Sequence, residues 1–275
     1  MLFTMQWQNF IIIEVRINMN KTEKINFARV PDEEYTIKKA YNVPTVDDIL
    51  KLMNKFSGTT SPTEFLSDVF KCGAIAISNK FDRKKYTERE EEYKRTINKY
   101  NKSDRLLIAD IFANIYVLLS HQLDVGFDDY LGKIYMLSNT SNSKTGQFFT
   151  PYSISKLCAD VGMDDKEVKK YIENDSIITM HEPTVGSGGM VLATADTLYN
   201  KYHFNISRNL FVECGDVDVR CVYMAYLQLS LAGIPAAIYH RDGLSLETWD
   251  VWKTPPYLMQ YTRFKKYENI VIKKG

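Results

Sequence analysis

The stretch that most limits what this chain can fold into is Glu182-Pro183-Thr184-Val185-Gly186-Ser187-Gly188-Gly189-Met190. Ser176 to Met180, just before it, reads as a short buried strand. Val191 to Leu198, just after it, has apolar residues at helical spacing. Strand, glycine turn and helix follow one another. Glycines at 186, 188 and 189 leave out the Cβ atoms that would keep a ligand from the backbone, and a helix N-terminus offers unpaired N–H groups. An isolated GxGG is also an ordinary surface turn. Placement directly after an apolar strand that ends in an acid points instead to a cofactor grip.

The ligand of that grip can be narrowed. A dinucleotide fingerprint asks for a third glycine where Val191 stands, and a phosphate-cradling loop asks for Gly-Lys-Ser/Thr, which is absent. Glu182 at the strand end would repel a pyrophosphate but attract an ammonium group, such as that in the methionine part of S-adenosylmethionine. S-adenosylmethionine is therefore the expected cofactor.

At 275 residues with a formal charge of +1, the chain can hold two domains and carries no global field that would attract nucleic acid. Any DNA surface has to be local. Cys72, Cys158, Cys214 and Cys221 form no CxxC pair and the four histidines are scattered, so neither a disulfide framework nor a metal site is indicated, and a cytoplasmic home is expected. Phe10 to Ile13 is apolar but too short for a membrane span. Residues 1–30 read as an extension, within which Met19 resembles an ordinary start.

Residues 31–142 read as a helical domain. Val46 to Phe56 is amphipathic; Ser61-Pro62-Thr63-Glu64 supplies a cap, a first-turn proline and an acid; Thr87 to Glu90 looks like a second capping box. The charged run to Tyr100 reads as a solvated helix, with Arg89, Lys94, Arg95 and Lys99 as the alternative phosphate contacts. Leu106 to Leu123 is expected to be a buried central helix and Asp128 to Leu137 a shorter one. Asn139 to Thr145 is loop-like. Thr150 and Pro151 are placed to open a helix that buries Ile154, Leu157, Cys158 and Val161.

Beyond the glycine turn, Asn209 to Cys214 is a second strand that runs into Gly215-Asp216-Val217-Asp218. A carboxylate at that tip suits a ribose, and Asp216 is the choice, with Asp218 as a helix cap. Val219 to Leu231 is a helix, Pro235 to His240 a third strand. Asp242, before Gly243, either meets an adenine amine or serves its own turn. Thr254-Pro255-Pro256-Tyr257 is followed by interleaved aromatic and basic residues, Tyr261 to Tyr267, which fit a nucleic-acid edge or a solvated terminus.

The strings Gly146-Gln147-Phe148-Phe149-Thr150-Pro151, Glu182 to Gly189, Asp216-Val217-Asp218, Asp242-Gly243-Leu244 and Pro255-Pro256-Tyr257, in this order, resemble a γ-type N6-adenine DNA methyltransferase. The likeness is to modification subunits of type I restriction systems and their phage-borne relatives, and covers about Asp129 to Tyr257. It implies an α/β fold: the helical domain, then a Rossmann-like methyltransferase domain over 143–275, C-terminally shortened. It also implies double-stranded DNA as substrate, and either a specificity subunit or a homo-oligomer as partner. The cofactor's methionine end would lie against Phe149, Thr150, Pro151, Glu182, Gly186 and Gly188, its ribose against Asp216 and its adenine against Asp242. Gln147, Phe148, Thr184, Ser187, Val217 and Gly243 would complete the cofactor-binding set. Thr254, Pro255, Pro256 and Tyr257 would face the target amine, with Tyr257 stacked on a flipped base.

Thr254 stands where the family has Asn or Asp. A hydroxyl lacks the carboxamide or carboxylate oxygen that reaches the amine, which implies a loss of ~100-fold in rate. Eighteen residues follow Tyr257, with Ile270 to Ile272 the strand-like run, so the sheet is expected to be completed by a partner or left incomplete. The reading from another class is a non-catalytic binding subunit or decoy.

Overall fold

Local capping chemistry fixes most of the helix starts. Residues 43–138 and 149–268 are those the computed structural model describes. The expectations for residues 1–30, Asn139 to Thr145, Gly146, Gln147, Phe148 and Ile270 to Ile272 lie outside the described residues. Helix α1 (Val46–Met53) begins with a reciprocal box in which Thr45 Oγ1 accepts from the Asp48 N–H and Asp48 Oδ2 accepts from the Thr45 N–H. Helix α2 (Pro62–Phe81) begins as Ser61 and Pro62 predict, with the Ser61 hydroxyl accepting from the Glu64 N–H at 3.2 Å. Helix α3 (Tyr86–Ile97) starts one residue before Thr87, from Lys85 with no side-chain cap, so the second capping box is not used. Helix α4 (Lys102–Ser120), capped by Asn101, buries Ile108, Ile111, Ile115 and Leu119 but leaves Leu106 61% exposed. Helix α5 (Tyr130–Ser138) follows.

Arg89 corrects the reading of α3 as wholly solvated. Its side chain is 2% exposed, its guanidinium lies 3.7 Å from the Trp252 ring centroid, and Nη2 donates to the Val251 carbonyl at 3.0 Å. Asp82 and Asp250 stand 3.5 and 3.7 Å away. An arginine taken out of water needs compensating partners, and these come from α2's end and from the sheet.

Helix α6 (Tyr152–Gly162) starts after Pro151 without a hydroxyl cap, so Thr150 does not cap it. Its expected buried face is also reversed: Ile154, Leu157, Cys158 and Val161 are exposed, Val161 at 77%. The buried positions are Ser155 and Ala159, small residues one turn apart that let α6 lie close against α8 (Gly189–Tyr202). The lysine between them, Lys156, donates to Thr197 Oγ1 on that helix at 2.9 Å. Helix α7 (Asp165–Glu173) leads into the sheet, capped by Asp164.

The sheet has the order β1 (Ile178–Glu182), β2 (Leu210–Asp216), β3 (Ala236–Arg241), β4 (Thr248–Lys253). Helix α8 connects β1 to β2, and α9 (Val219–Leu231), capped by Asp218, connects β2 to β3. The first three strands are parallel; β4 is antiparallel to β3, pairing Ala237 with Lys253 and His240 with Asp250. This is the α/β arrangement the resemblance implied. β1 begins two residues later than expected and is half exposed, because among the described residues it pairs only with β2. β2, with a strand on each side, is buried almost throughout. One apolar core runs from Ile49 of α1 through α9 to Trp252 of β4. The other sheet face carries a smaller cluster of Phe211, Ala237, Tyr239, Tyr257 and Phe264. Among the described residues, no helix is long and apolar enough to cross a membrane.

Candidate cofactor-binding site

Three parallel strands deliver their last residues to one edge, and the turn after β1 is shaped by two left-handed glycines. Gly186 has φ +54° and Gly188 φ +104°, values that any side chain would strain. A Cβ on Gly186 would also come within 3.1 Å of the Phe149 ring, so the phenylalanine fills the space the glycine leaves. Asp216, the last residue of β2, holds this turn from the side: Oδ2 accepts from the Gly186 N–H and Oδ1 from the Asp218 N–H, both at 2.9 Å. A carboxylate has about four lone-pair sites, so two remain for ligand hydroxyls. The Val185 N–H donates to the Gly215 carbonyl at 2.8 Å, which fixes the turn to β2 a second time.

Glu182, ending β1, accepts from the Thr184 N–H at 3.1 Å and from its hydroxyl at 3.3 Å. Asp242 accepts from the Leu244 and Ser245 N–H groups through Oδ1, and these bonds hold its carboxyl below the usual range. Its turn abuts the first one, since a Cβ on Gly243 would lie 3.4 Å from the Pro183 carbonyl oxygen. Val217 is 62% exposed at the same edge, and its carbonyl is 3.2 Å from His240 Nε2.

Of the expected site residues, Phe149, Glu182, Thr184, Gly186, Gly188, Asp216, Val217, Asp242 and Gly243 are thus gathered here. The Ser187 side chain is committed elsewhere: it is buried and donates to Asp129. Thr150 and Pro151 are exposed at the entry to α6. Trp249 was missed. It is the unpaired residue at the register shift, between Thr248, which pairs with Arg241, and Asp250, which pairs with His240; it is half exposed, with its ring 4.8 Å from that of His240. A strand over Thr248 to Lys253 would have revealed it, and the apolar alternation of Trp249 and Val251 was the available signal.

Thr254, Pro255, Pro256 and Tyr257 do not join this edge. The turn from Asp242 to Glu247 reverses the chain, so β4 carries them back to the amino ends of the parallel strands, a strand length or roughly 17 Å away at about 3.3 Å per residue. Thr254 is 0% exposed; its hydroxyl donates to the Ile234 carbonyl and accepts from the Ala236 N–H, both at 2.8 Å. Tyr257 packs against Phe211 and Phe264, and its hydroxyl is bonded to Glu268. The expectation that these four residues face the reacting atoms is corrected: they brace the far end of the sheet.

The donor set at the carboxyl edge fits S-adenosylmethionine. Glu182, Asp216 and Asp242 make the edge acidic, which suits a cation and repels a pyrophosphate, and the turn offers backbone without Cβ atoms.

The N-6 DNA Methylase family matches residues 126–272, more than half of the sequence. The chain belongs to the N-6 DNA methylase family. With that membership comes a methyltransferase framework and S-adenosylmethionine as the cofactor. A solved structure described as a class I S-adenosylmethionine-dependent methyltransferase from Listeria monocytogenes is similar at 20% identity and a TM-score of 0.35, over 66% of this methylase-family chain and 54% of that one. The chain thus spans about half the length of that protein. No curated protein matches it.

Proposed function

We propose that this chain is a cofactor-holding subunit in N6-adenine methylation of double-stranded DNA, within or related to a restriction-modification system, and that its Thr254-Pro255-Pro256-Tyr257 string does not perform the transfer. The observation that carries this reading is the burial of Thr254 at the opposite end of the sheet from Gly186 and Asp216. S-adenosylmethionine would supply an electrophilic methyl group on sulfur. For the chain's part, Glu182 and the Gly186–Gly188 turn receive the methionine end, Asp216 accepts from the ribose hydroxyls, and Val217, Asp242 and Gly243 line the adenine. A partner, a specificity subunit or a second copy, supplies the groups that orient the target amine. Cysteines that are free in every described case fit a cytoplasmic setting.

Family membership favours a second reading, in which the chain transfers the methyl group itself with an acceptor other than Thr254. One experiment separates them: titrate the purified chain with S-adenosylmethionine, then add duplex DNA and assay N6-methyladenine. Binding without methylation supports the cofactor-holding subunit. Binding with methylation supports the second reading, and no binding overturns both.

A further inference from the structure

Behind the glycine turn lies a buried carboxylate that bonds the turn directly and again through Gln228. Asp129, next to the start of α5, is 4% exposed. Its Oδ2 accepts from the Ser187 hydroxyl; its Oδ1 accepts from Gln228 Nε2 at 2.8 Å and from the Gly132 N–H at 3.0 Å. Gln228, on α9 and fully buried, also donates to the Ser187 carbonyl at 2.7 Å and accepts from the Leu131 N–H at 3.2 Å. Both the side chain and the carbonyl of Ser187 are therefore held, by residues 58 and 41 positions away.

The space around the carboxylate is cut to fit. A Cβ on Gly132 would fall 2.1 Å from Asp129 Oδ2, and one on Gly189 3.2 Å from it. Gly189, the third glycine of the turn, has helical backbone and opens room for Asp129. Burial raises the Asp129 pKa above the ordinary carboxylate range, and the like-signed Asp128 raises it further. A carboxylate that bonds only dipoles in the core is costly to keep, and an apolar residue would fill the volume more cheaply. One of its bonds, however, reaches Ser187 directly and another reaches it through Gln228, and Ser187 sits between the two left-handed glycines.

We propose that Asp129 is a positioning residue: with Gln228 it holds Ser187, and so fixes Gly186 and Gly188 in the conformation that receives the methionine end of S-adenosylmethionine. The choice of cofactor end rests on the cofactor reading above. The holding of the turn does not.

The test uses the full chain in Asp129→Ala, Asp129→Asn and Ser187→Ala forms. Amide hydrogen exchange of residues 184–190 is followed without ligand, with α2 amides as the internal reference, and S-adenosylmethionine is titrated beside 5′-methylthioadenosine, which lacks the amino-acid end. Losing the bonds to Ser187 should speed exchange in the turn by ~10-fold in Asp129→Ala while α2 is unchanged, as expected for a buried hydrogen-bonded group. Affinity for S-adenosylmethionine should fall by ~10-fold and that for methylthioadenosine by no more than about 2-fold. Asp129→Asn, which keeps the shape and the Oδ1 acceptor, should recover most of both losses. Unchanged turn exchange in a folded Asp129→Ala protein overturns the proposal, as does a rise shared equally by α2. If Asp129→Ala does not fold, Ser187→Ala decides by the same exchange criterion. Failure of the unmodified chain to bind S-adenosylmethionine would instead overturn the cofactor reading, with turn exchange still deciding the role of Asp129.

Discussion

The two ends of the sheet use similar residue types for opposite purposes. At the carboxyl end, Glu182, Asp216 and Asp242 accept from backbone N–H groups and remain partly exposed. At the amino end, Thr254 spends its whole hydroxyl on the Ile234 carbonyl and the Ala236 N–H, and has no exposed surface left. A polar side chain is available to chemistry only when the fold has not already used it, and strand direction decided which end kept its groups available.

The largest effect that can break this comparison is on ligand affinity. Asp216→Ala should weaken S-adenosylmethionine binding by ~100-fold, since it removes a charged acceptor and the staple on Gly186, whereas Thr254→Val should change it by less than about 2-fold. Calorimetric titration of both reads the contrast, and equal losses would abolish it. Arg89→Ala should come next, destabilising by about 3 kcal/mol in urea melts because Asp82 and Asp250 lose their buried partner, with cofactor affinity retained. Thr254→Asn restores the residue type of the family motif; here it should lower stability by about 1–3 kcal/mol through the lost bonds at Ile234 and Ala236 and yield no N6-methyladenine. A gain in methylation would show that the two ends meet during turnover.

The smallest effect is on pH dependence. Asp242 has a folded-state pKa below its unfolded value, so its contribution to stability is present above the unfolded pKa and lost as pH falls through the folded one. Asp129, raised by burial, has the reverse sign: its contribution is full below the unfolded pKa and is lost as pH rises through the folded one. Asp242→Asn should therefore flatten the acid limb of a plot of melting temperature against pH, and Asp129→Asn should make that limb steeper.

Much of the carboxyl end was legible in the sequence because it is local. Strand, glycine turn and helix are consecutive, Asp218 caps the helix beside it, and Ser61-Pro62 opens α2 as capping chemistry requires. What was not legible depends on partners far along the chain. Periodicity does not encode strand direction, and β4, with Asp250 and Lys253 among its six residues, hid both itself and its antiparallel course. The apolar stripe of α6 faces outward because the packing against α8 goes through Ser155 and Ala159, which carry no hydropathy signal. Arg89 reads as part of a solvated helix until Trp252, which encloses it, is brought near, and nothing local to Asp129 points to Ser187, 58 positions away.

The Phe149 ring set against Gly186 makes the two a thermodynamic pair. A ligand that binds only the folded chain and rests on that turn shifts the folding equilibrium by its own mass action, about 2.7 kcal/mol at one hundred times its dissociation constant. The Phe149 ring fills the space beside that turn, so removing its bulk should register as a smaller ligand-induced shift, read at a glycine that has no side chain to lose.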